Sequence, residues 1–158
     1  RLWQGHPLLY DVNHWTEDEL FRVGTVDAIW RETQAGMDAL LARYGMIRDG
    51  HLYHCDNNQP DTIVLFCHFG IMMACIGHLL GVSPMLLWHG FCTQPSSVTT
   101  LVPEDRVKGE VVFRCMQSGD LSHLYAADEP YSTAALFPEC YTGRDSTDPP
   151  EWDALGYR

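Results

Sequence analysis

The chain has 158 residues, 46% of them hydrophobic, which is enough for one domain with a continuous core. Its formal net charge of −11 excludes nucleic acid or an anionic membrane as the main partner, because both are bound through faces rich in lysine and arginine. The six cysteines include no C-x-x-C pair and no segment is long enough for a membrane span. We therefore expect a cytoplasmic protein with reduced thiols and with no cofactor.

The first third of the chain predicts an irregular segment, a helix and a hairpin. Residues 1 to 22 are rich in aromatic side chains but show neither helical nor strand periodicity, and they predict an irregular segment ending in a short helix. Apolar residues recur at helical spacing from Ile29 to Tyr44, so a long amphipathic helix is expected there, with Gly45 as its stop. Residues 46 to 61 predict a short hairpin or loop that turns at Asp49-Gly50.

The stretch from Thr62 to Gly70 organises the rest of the chain. After Thr62 come five apolar residues in a row, which predict a strand buried on both faces, as in a parallel sheet. His68 falls where this strand ends, and Gly70 permits a sharp turn into an apolar helix at 71–80. A helix N-terminus at a strand tip presents unpaired N–H groups, so this point is a candidate site for phosphate or carboxylate.

Two further strands are expected beyond that helix. Val82-Ser83-Pro84 breaks the chain, and β-branched runs at 97–102 and 110–115 predict neighbouring strands joined by a charged turn. Residues 1–144 are therefore expected to form a single domain. Residues 145–158 contain adjacent prolines and predict a flexible tail.

Four segments, in order and at their spacing, resemble the C-terminal half of the histidine phosphatase superfamily, the phosphoglycerate-mutase-like group. The resemblance covers roughly residues 27 to 125 and is closest to bacterial members. The four segments are Val64-Leu-Phe-Cys-His68-Phe-Gly70, Gly77-His-Leu-Leu-Gly81, Ser96-Ser97-Val98-Thr99 and Gly119-Asp-Leu-Ser-His123-Leu124.

The resemblance implies an α/β three-layer sandwich with a mostly parallel sheet, and hydrolysis of phosphomonoesters through a phosphohistidine. His68 matches the second histidine of the family, which helps to hold the phosphate, and the backbone N–H groups of Phe69 and Gly70 match those that face it. His123 resembles a family histidine near the crevice, although a structural hydrogen bond is an equal alternative. Ser97 is a further candidate neighbour of the site, or a backbone-capping hydroxyl.

The family's nucleophile has no counterpart in this sequence. Its Arg-His-Gly motif is absent from residues 1 to 61, and the look-alike Trp88-His89-Gly90 lacks the arginine and follows His68 in the chain. The resemblance therefore implies a domain without its first strands, which leaves an apolar sheet edge that needs a homodimer or a second chain carrying those strands. The alternative is a non-catalytic interaction protein that binds phosphate or a phospholigand.

Other residues whose side chains could react or bind metal are assigned structural roles. Cys67 and His68 are adjacent on a predicted strand and point to opposite faces, so Cys67 is expected to be a buried structural thiol and not half of a catalytic dyad. His51, His54 and Cys55 could ligate zinc, but no second ligand pair accompanies them, so no metal is expected. His78 is expected to serve packing or to lie at the surface.

Overall fold

The computed structural model of the chain describes residues 5–56 and 61–132, and it combines α-helices with a β-sheet. Short 3-10 helices occur at Pro7–Tyr10, Trp15–Glu17 and Glu19–Phe21. The α-helices are α1 (Val26–Ala42), α2 (Phe69–Leu80), α3 (Pro84–Gly90) and α4 (Ser122–Ala126), and the strands are β1 (Ile47–Asp49), β2 (Leu52–His54), β3 (Val98–Val107) and β4 (Glu110–Asp120). The predicted tail at 145–158 lies outside the described residues.

The four strands form one antiparallel sheet in the order β1-β2-β4-β3. In β1 and β2, Arg48 lies opposite Tyr53, and Tyr53 in turn lies opposite Val111 of β4. The predicted α/β class is confirmed, but within the described ranges the sheet is not the parallel sheet expected of a three-layer sandwich. Short turns join β1 to β2 and β3 to β4, and such connections make neighbouring strands antiparallel, whereas parallel neighbours need long crossovers.

The apolar run predicted as a buried strand is extended but unpaired. Residues 61–68 belong to no strand, and their backbone N–H groups donate to no other residue of the described chain. Val64 is 66% exposed and Phe66 is 98% exposed. The predicted burial is therefore wrong, because the described residues supply no neighbouring strand on either side of this run.

The two long helices follow the predicted patterns. On α1, Trp30, Met37 and Leu41 recur at spacings of seven and four residues and are buried, so the predicted amphipathic helix is confirmed. α2 ends at Gly81, which adopts the left-handed conformation (φ 68°) and donates its N–H to the carbonyl of Gly77.

Edge-to-face aromatic contacts pin the N-terminal segment to the helices. Trp15 is 1% exposed, and its ring contacts those of Phe21, Trp30 and Trp88 at centroid distances of 5.2, 5.7 and 5.5 Å. Ser83, the N-cap of α3, donates its hydroxyl to the carbonyl of Leu9 at 2.5 Å. The aromatic anchoring expected in this segment is therefore seen at Trp15.

The described chain divides into two units. Residues 5–56, 61–91 and 101–116 form the first, which contains the hydrophobic clusters of α1, α2 and α3. Residues 92–100 and 117–132 belong to the second, where the N–H of Gly119 donates to the hydroxyl of Thr99 at 3.1 Å.

Candidate functional site

His68 occupies the N-cap of α2, which begins at Phe69, two residues before the predicted helix, and the described residues directly before it form no strand. Its backbone is extended (φ −111°, ψ 160°), and its carbonyl accepts the N–H of Met72 at 2.9 Å, so the first turn of the helix is formed. The His68 side chain is exposed and does not cap the helix. The N–H groups of Phe69 and Gly70 are therefore left for solvent or an anion, at the positive end of the helix dipole.

α3 is tied to this first turn through Trp88. The indole Nε1 of Trp88 donates to the carbonyl of Gly70 at 2.9 Å, which fixes the backbone close to His68. The Trp88-His89-Gly90 triplet lies in the last turns of α3 and not at a strand tip, so it does not occupy the position of a phosphatase nucleophile. The site thus offers an imidazole and backbone N–H groups, and no hydrogen bond or ion pair between described residues brings an arginine to His68.

Ser97 and His123 lie in the second unit, whereas His68 lies in the first. Ser97 donates its backbone N–H to the carbonyl of Gln94 at 3.1 Å and is half-buried. His123 is exposed on α4, and its carbonyl accepts the N–H of Ala127 at 3.2 Å. Their proposed place beside the phosphate stays a prediction.

Two other chemistries were considered from the sequence, one at the Cys67 thiol and one at a metal site. Cys67 is exposed, so the expected buried thiol is wrong, and the reason is the same missing strand neighbours that expose Phe66. Among residues 5–56 and 61–132, no group of three or more histidine, cysteine or acidic side chains converges as metal ligands would. His54 Nε2 instead lies 3.0 Å from a carboxylate oxygen of Asp56.

A buried polar cluster that the sequence did not reveal joins α1, the β1–β2 hairpin and α2. It consists of Asp38, Arg48, Tyr53 and His78, and we call it the Asp38 cluster. One carboxylate oxygen of Asp38 accepts the Tyr53 hydroxyl at 2.6 Å and lies 2.7 Å from Nε2 of His78 and 3.4 Å from Nε of Arg48. A single acid therefore holds side chains from three other elements.

The partners of His78 fix which of its ring nitrogens carries the proton. Asp38 can only accept, so Nε2–H donates to Asp38 at 2.7 Å. Nη2 of Arg48 lies 2.7 Å from Nε2 and 3.0 Å from Nδ1, which places the guanidinium over the imidazole ring and not along the lone pair of Nδ1. The same Nη2 donates to the backbone carbonyl of His78 at 2.9 Å.

Burial and these partners shift the acid–base behaviour of the cluster. Burial lowers the pKa of His78 below its ordinary 6.5, the nearby Arg48 charge adds to this, and the hydrogen bond to Asp38 offsets only part of it. Burial alone would raise the pKa of Asp38, but hydrogen bonds from Tyr53 and His78 outweigh it and leave that pKa lowered. Burial and the carboxylate raise the pKa of Tyr53. At neutral pH the cluster is one carboxylate and one guanidinium around a neutral imidazole.

The contacts within the Asp38 cluster hold α1, the β1–β2 hairpin and α2 together. Tyr53 is 1% exposed, His78 is 8% exposed, and the Arg48 guanidinium also stacks over the Tyr53 ring at 4.3 Å. Packing as the expected role of His78 is confirmed, but its ionic partners were missed. The available signal was a histidine on the buried face of a strongly apolar helix, which requires polar partners somewhere in the fold.

No protein-family model, curated protein or solved structure matches this chain, so its functional assignment rests on its own residues and geometry. Within the described residues, every helix is too short or too polar to traverse a lipid bilayer.

Proposed function

We propose that this chain binds phosphate or a phosphomonoester at the N-terminus of α2, as the second-histidine half of a histidine phosphatase site. The observation that carries the proposal is the N-terminus of α2 itself. There, an exposed His68 directly precedes Phe69 and Gly70, whose N–H groups no side chain caps, at the end of an extended segment. Backbone donors at the positive end of a helix dipole, next to an imidazole, suit a phosphate group.

In the parent reaction, a histidine nitrogen attacks phosphorus while the ester oxygen leaves with a proton from an acid. Water then attacks the phosphohistidine and releases inorganic phosphate. His68 would donate a hydrogen bond to a non-bridging phosphoryl oxygen, and the N–H groups of Phe69 and Gly70 would donate to oxygens of the same phosphoryl group. These contacts stabilise the transition state but cannot replace the nucleophile, so the chain by itself should bind phosphate and not hydrolyse its esters.

The unpaired run before His68 supports a role for a second strand. Val64, Leu65 and Phe66 expose apolar side chains immediately upstream of the site, and no described residue accepts their backbone N–H groups. A strand from a second chain, or from a second copy of this one, that paired in parallel here would end beside His68 and could deliver the nucleophilic histidine there. The segment would then become an interior strand of the three-layer sandwich that the resemblance implies.

The second candidate is a non-catalytic protein that binds phosphate or a phospholigand as part of an interaction. It is favoured by the absence of any Arg-His-Gly triplet from the 158 residues. In this case the α2 site recognises the phosphate group, and the exposed run recognises the partner that carries it.

The test is a titration of the full chain with inorganic phosphate, followed through backbone amide signals, together with hydrolysis of an aryl phosphate. We expect saturable shifts at Phe69 and Gly70, and about tenfold weaker binding in His68→Ala, which is the effect of losing one charge-assisted hydrogen bond. His14→Ala is the matched control, because His14 is exposed and pairs only with Asp11 among described side chains.

Three results separate the proposals. Hydrolysis that is lost in His68→Ala would support the phosphatase, because it requires a nucleophile delivered by a second chain or a second copy beside His68. Phosphate binding without hydrolysis is expected of both candidates for this chain alone, and the non-catalytic protein is supported if hydrolysis stays absent at concentrations where the chain self-associates. If phosphate leaves the amides of Phe69 and Gly70 unshifted, or if His14→Ala weakens binding as much as His68→Ala, both proposals are wrong.

A further inference from the structure

We propose that His78 and Arg48 form a pH-sensitive latch that holds β1 against α2 when the imidazole is neutral and releases it when the imidazole is protonated. The latch lies within the Asp38 cluster and does not depend on the proposed phosphate site. Its basis is the way in which each nitrogen of His78 is occupied.

Protonation of His78 would place two positive charges in contact. Nε2 already carries hydrogen and points to Asp38, so the second proton must go to Nδ1, and Nη2 of Arg48 lies within 3.0 Å of both ring nitrogens. A guanidinium does not lose its own proton in proteins. The imidazolium and the guanidinium would therefore repel each other at contact distance unless Arg48 moves away.

The other groups around His78 allow this change. From α1, Asp38 still accepts Nε2–H, and the Gln34 side-chain amide lies 3.4 Å from Nδ1, where its oxygen can replace Arg48 as partner once the amide turns over. Tyr53 of β2 reaches the imidazole only through Asp38, and the edge of Trp30 adds an uncharged contact. His78 also lies in the last turn of α2, where the helix dipole favours a cation.

The turn between β1 and β2 carries a further titratable side chain close to the end of α2. The Nδ1 atom of His51 lies beside Gly81, which follows the last turn of α2. A charge on His51 would add to the repulsion and not relieve it.

β1 is the element that this change can release. It is an edge strand of three residues that pairs only with β2, so it can move without disturbing the pairing of β2 with β4. β1 also packs against α1, and Arg48 adds polar contacts to the helices, through Asp38 and through both the ring and the carbonyl of His78. The Arg48 side chain is 17% exposed.

The latch can be followed by nitrogen NMR of the full chain between pH 8 and pH 4.5. At high pH we expect His78 to be protonated on Nε2 alone. As the pH falls below 6.5, His78 Nδ1 should gain a proton, and the Nε–H signal of Arg48 should change with the same midpoint, since burial and Arg48 lower the pKa of His78. The backbone amides of 47–49 should move in parallel.

Arg48→Leu is the decisive variant. It removes the positive charge in contact with the imidazole, so the titration midpoint of His78 should rise by about one pH unit, a tenfold easier protonation. Arg31→Leu is the control, because Arg31 is exposed and pairs with Asp27 away from the cluster, so it should leave the midpoint unchanged.

An Arg48 signal that stays constant while His78 titrates would overturn the latch, and so would a His78 midpoint that does not rise in Arg48→Leu. Should Arg48→Leu fail to fold, the wild-type titration decides alone, because one shared midpoint for His78 and Arg48 is required by the proposal.

Discussion

Replacing Tyr53 with phenylalanine removes one hydroxyl from the Asp38 cluster and keeps the ring in place. The ring is 1% exposed and packs edge-on against Phe113 at 5.5 Å, so the smaller side chain opens no significant cavity. The lost bond is the 2.6 Å contact to the Asp38 carboxylate, and hydrogen bonds to charged groups contribute about 1.5–3 kcal/mol. The side chain of Asp38 is 28% exposed and can recruit water, which favours the lower end of this range.

The measurement is the free energy of unfolding from urea denaturation at pH 7.5, with thermal unfolding as a second probe. For a chain of this size the loss corresponds to a fall in Tm of roughly 3–12 °C. Tyr125→Phe is the control, because Tyr125 is 67% exposed and its hydroxyl should contribute less than about 0.5 kcal/mol. Equal losses in the two variants would refute the reasoning, since they would mean that the Asp38 hydrogen bond contributes no more than a surface hydroxyl.

Two further predictions concern packing and pH. Gly77→Ala should destabilise the chain by about 1–3 kcal/mol, because the added Cβ would lie 2.8 Å from a backbone carbonyl oxygen. Gly36→Ala, on the exposed side of α1 with open space around it, should instead stabilise by about 0.5–1 kcal/mol, and denaturant unfolding that ranked the two alike would contradict this. The free energy of unfolding should also fall as the pH drops below 6.5, because the lowered pKa of His78 lets the unfolded chain bind a proton that the folded chain resists. Below 3.8 the lowered pKa of Asp38 adds a second loss, and a flat pH profile between 7.5 and 5 would argue against the His78 assignment, whereas no further loss below 3.8 would argue against that of Asp38.

Local patterns predicted the two long helices and the hairpins, but not α3 and α4. The apolar spacing from Ile29 to Tyr44 and the apolar run at 71–80 depend only on neighbours a few residues away, and α1 and α2 have these bounds within two or three residues. The predicted strands at 97–102 and 110–115 are present but longer. The extension of the first contains Glu104, whose pairing with Arg114 of the second at 3.0 Å could not be read from either segment alone.

Features that depend on distant partners were missed. The burial of Ile63 to Phe66 was inferred from composition, but a buried strand needs neighbours, and the described residues provide none. His78 meets Asp38 and Arg48 from 40 and 30 residues away in the sequence, so no local pattern could reveal the cluster. The position of His68 at the start of α2 was predictable, because a helix boundary is a local property.

The exposed run beside His68 has a consequence for the behaviour of the chain at different concentrations. Val64 to Phe66 are apolar, exposed and free of proline and charge, which is the composition that favours stacking of identical strands from different molecules. Encounter between two such runs is second order, so a twofold dilution slows it about fourfold while leaving intramolecular folding unchanged. The chain should therefore keep its fold best when dilute, and a lysine at Val64 would act as a gatekeeper against growth of the assembly.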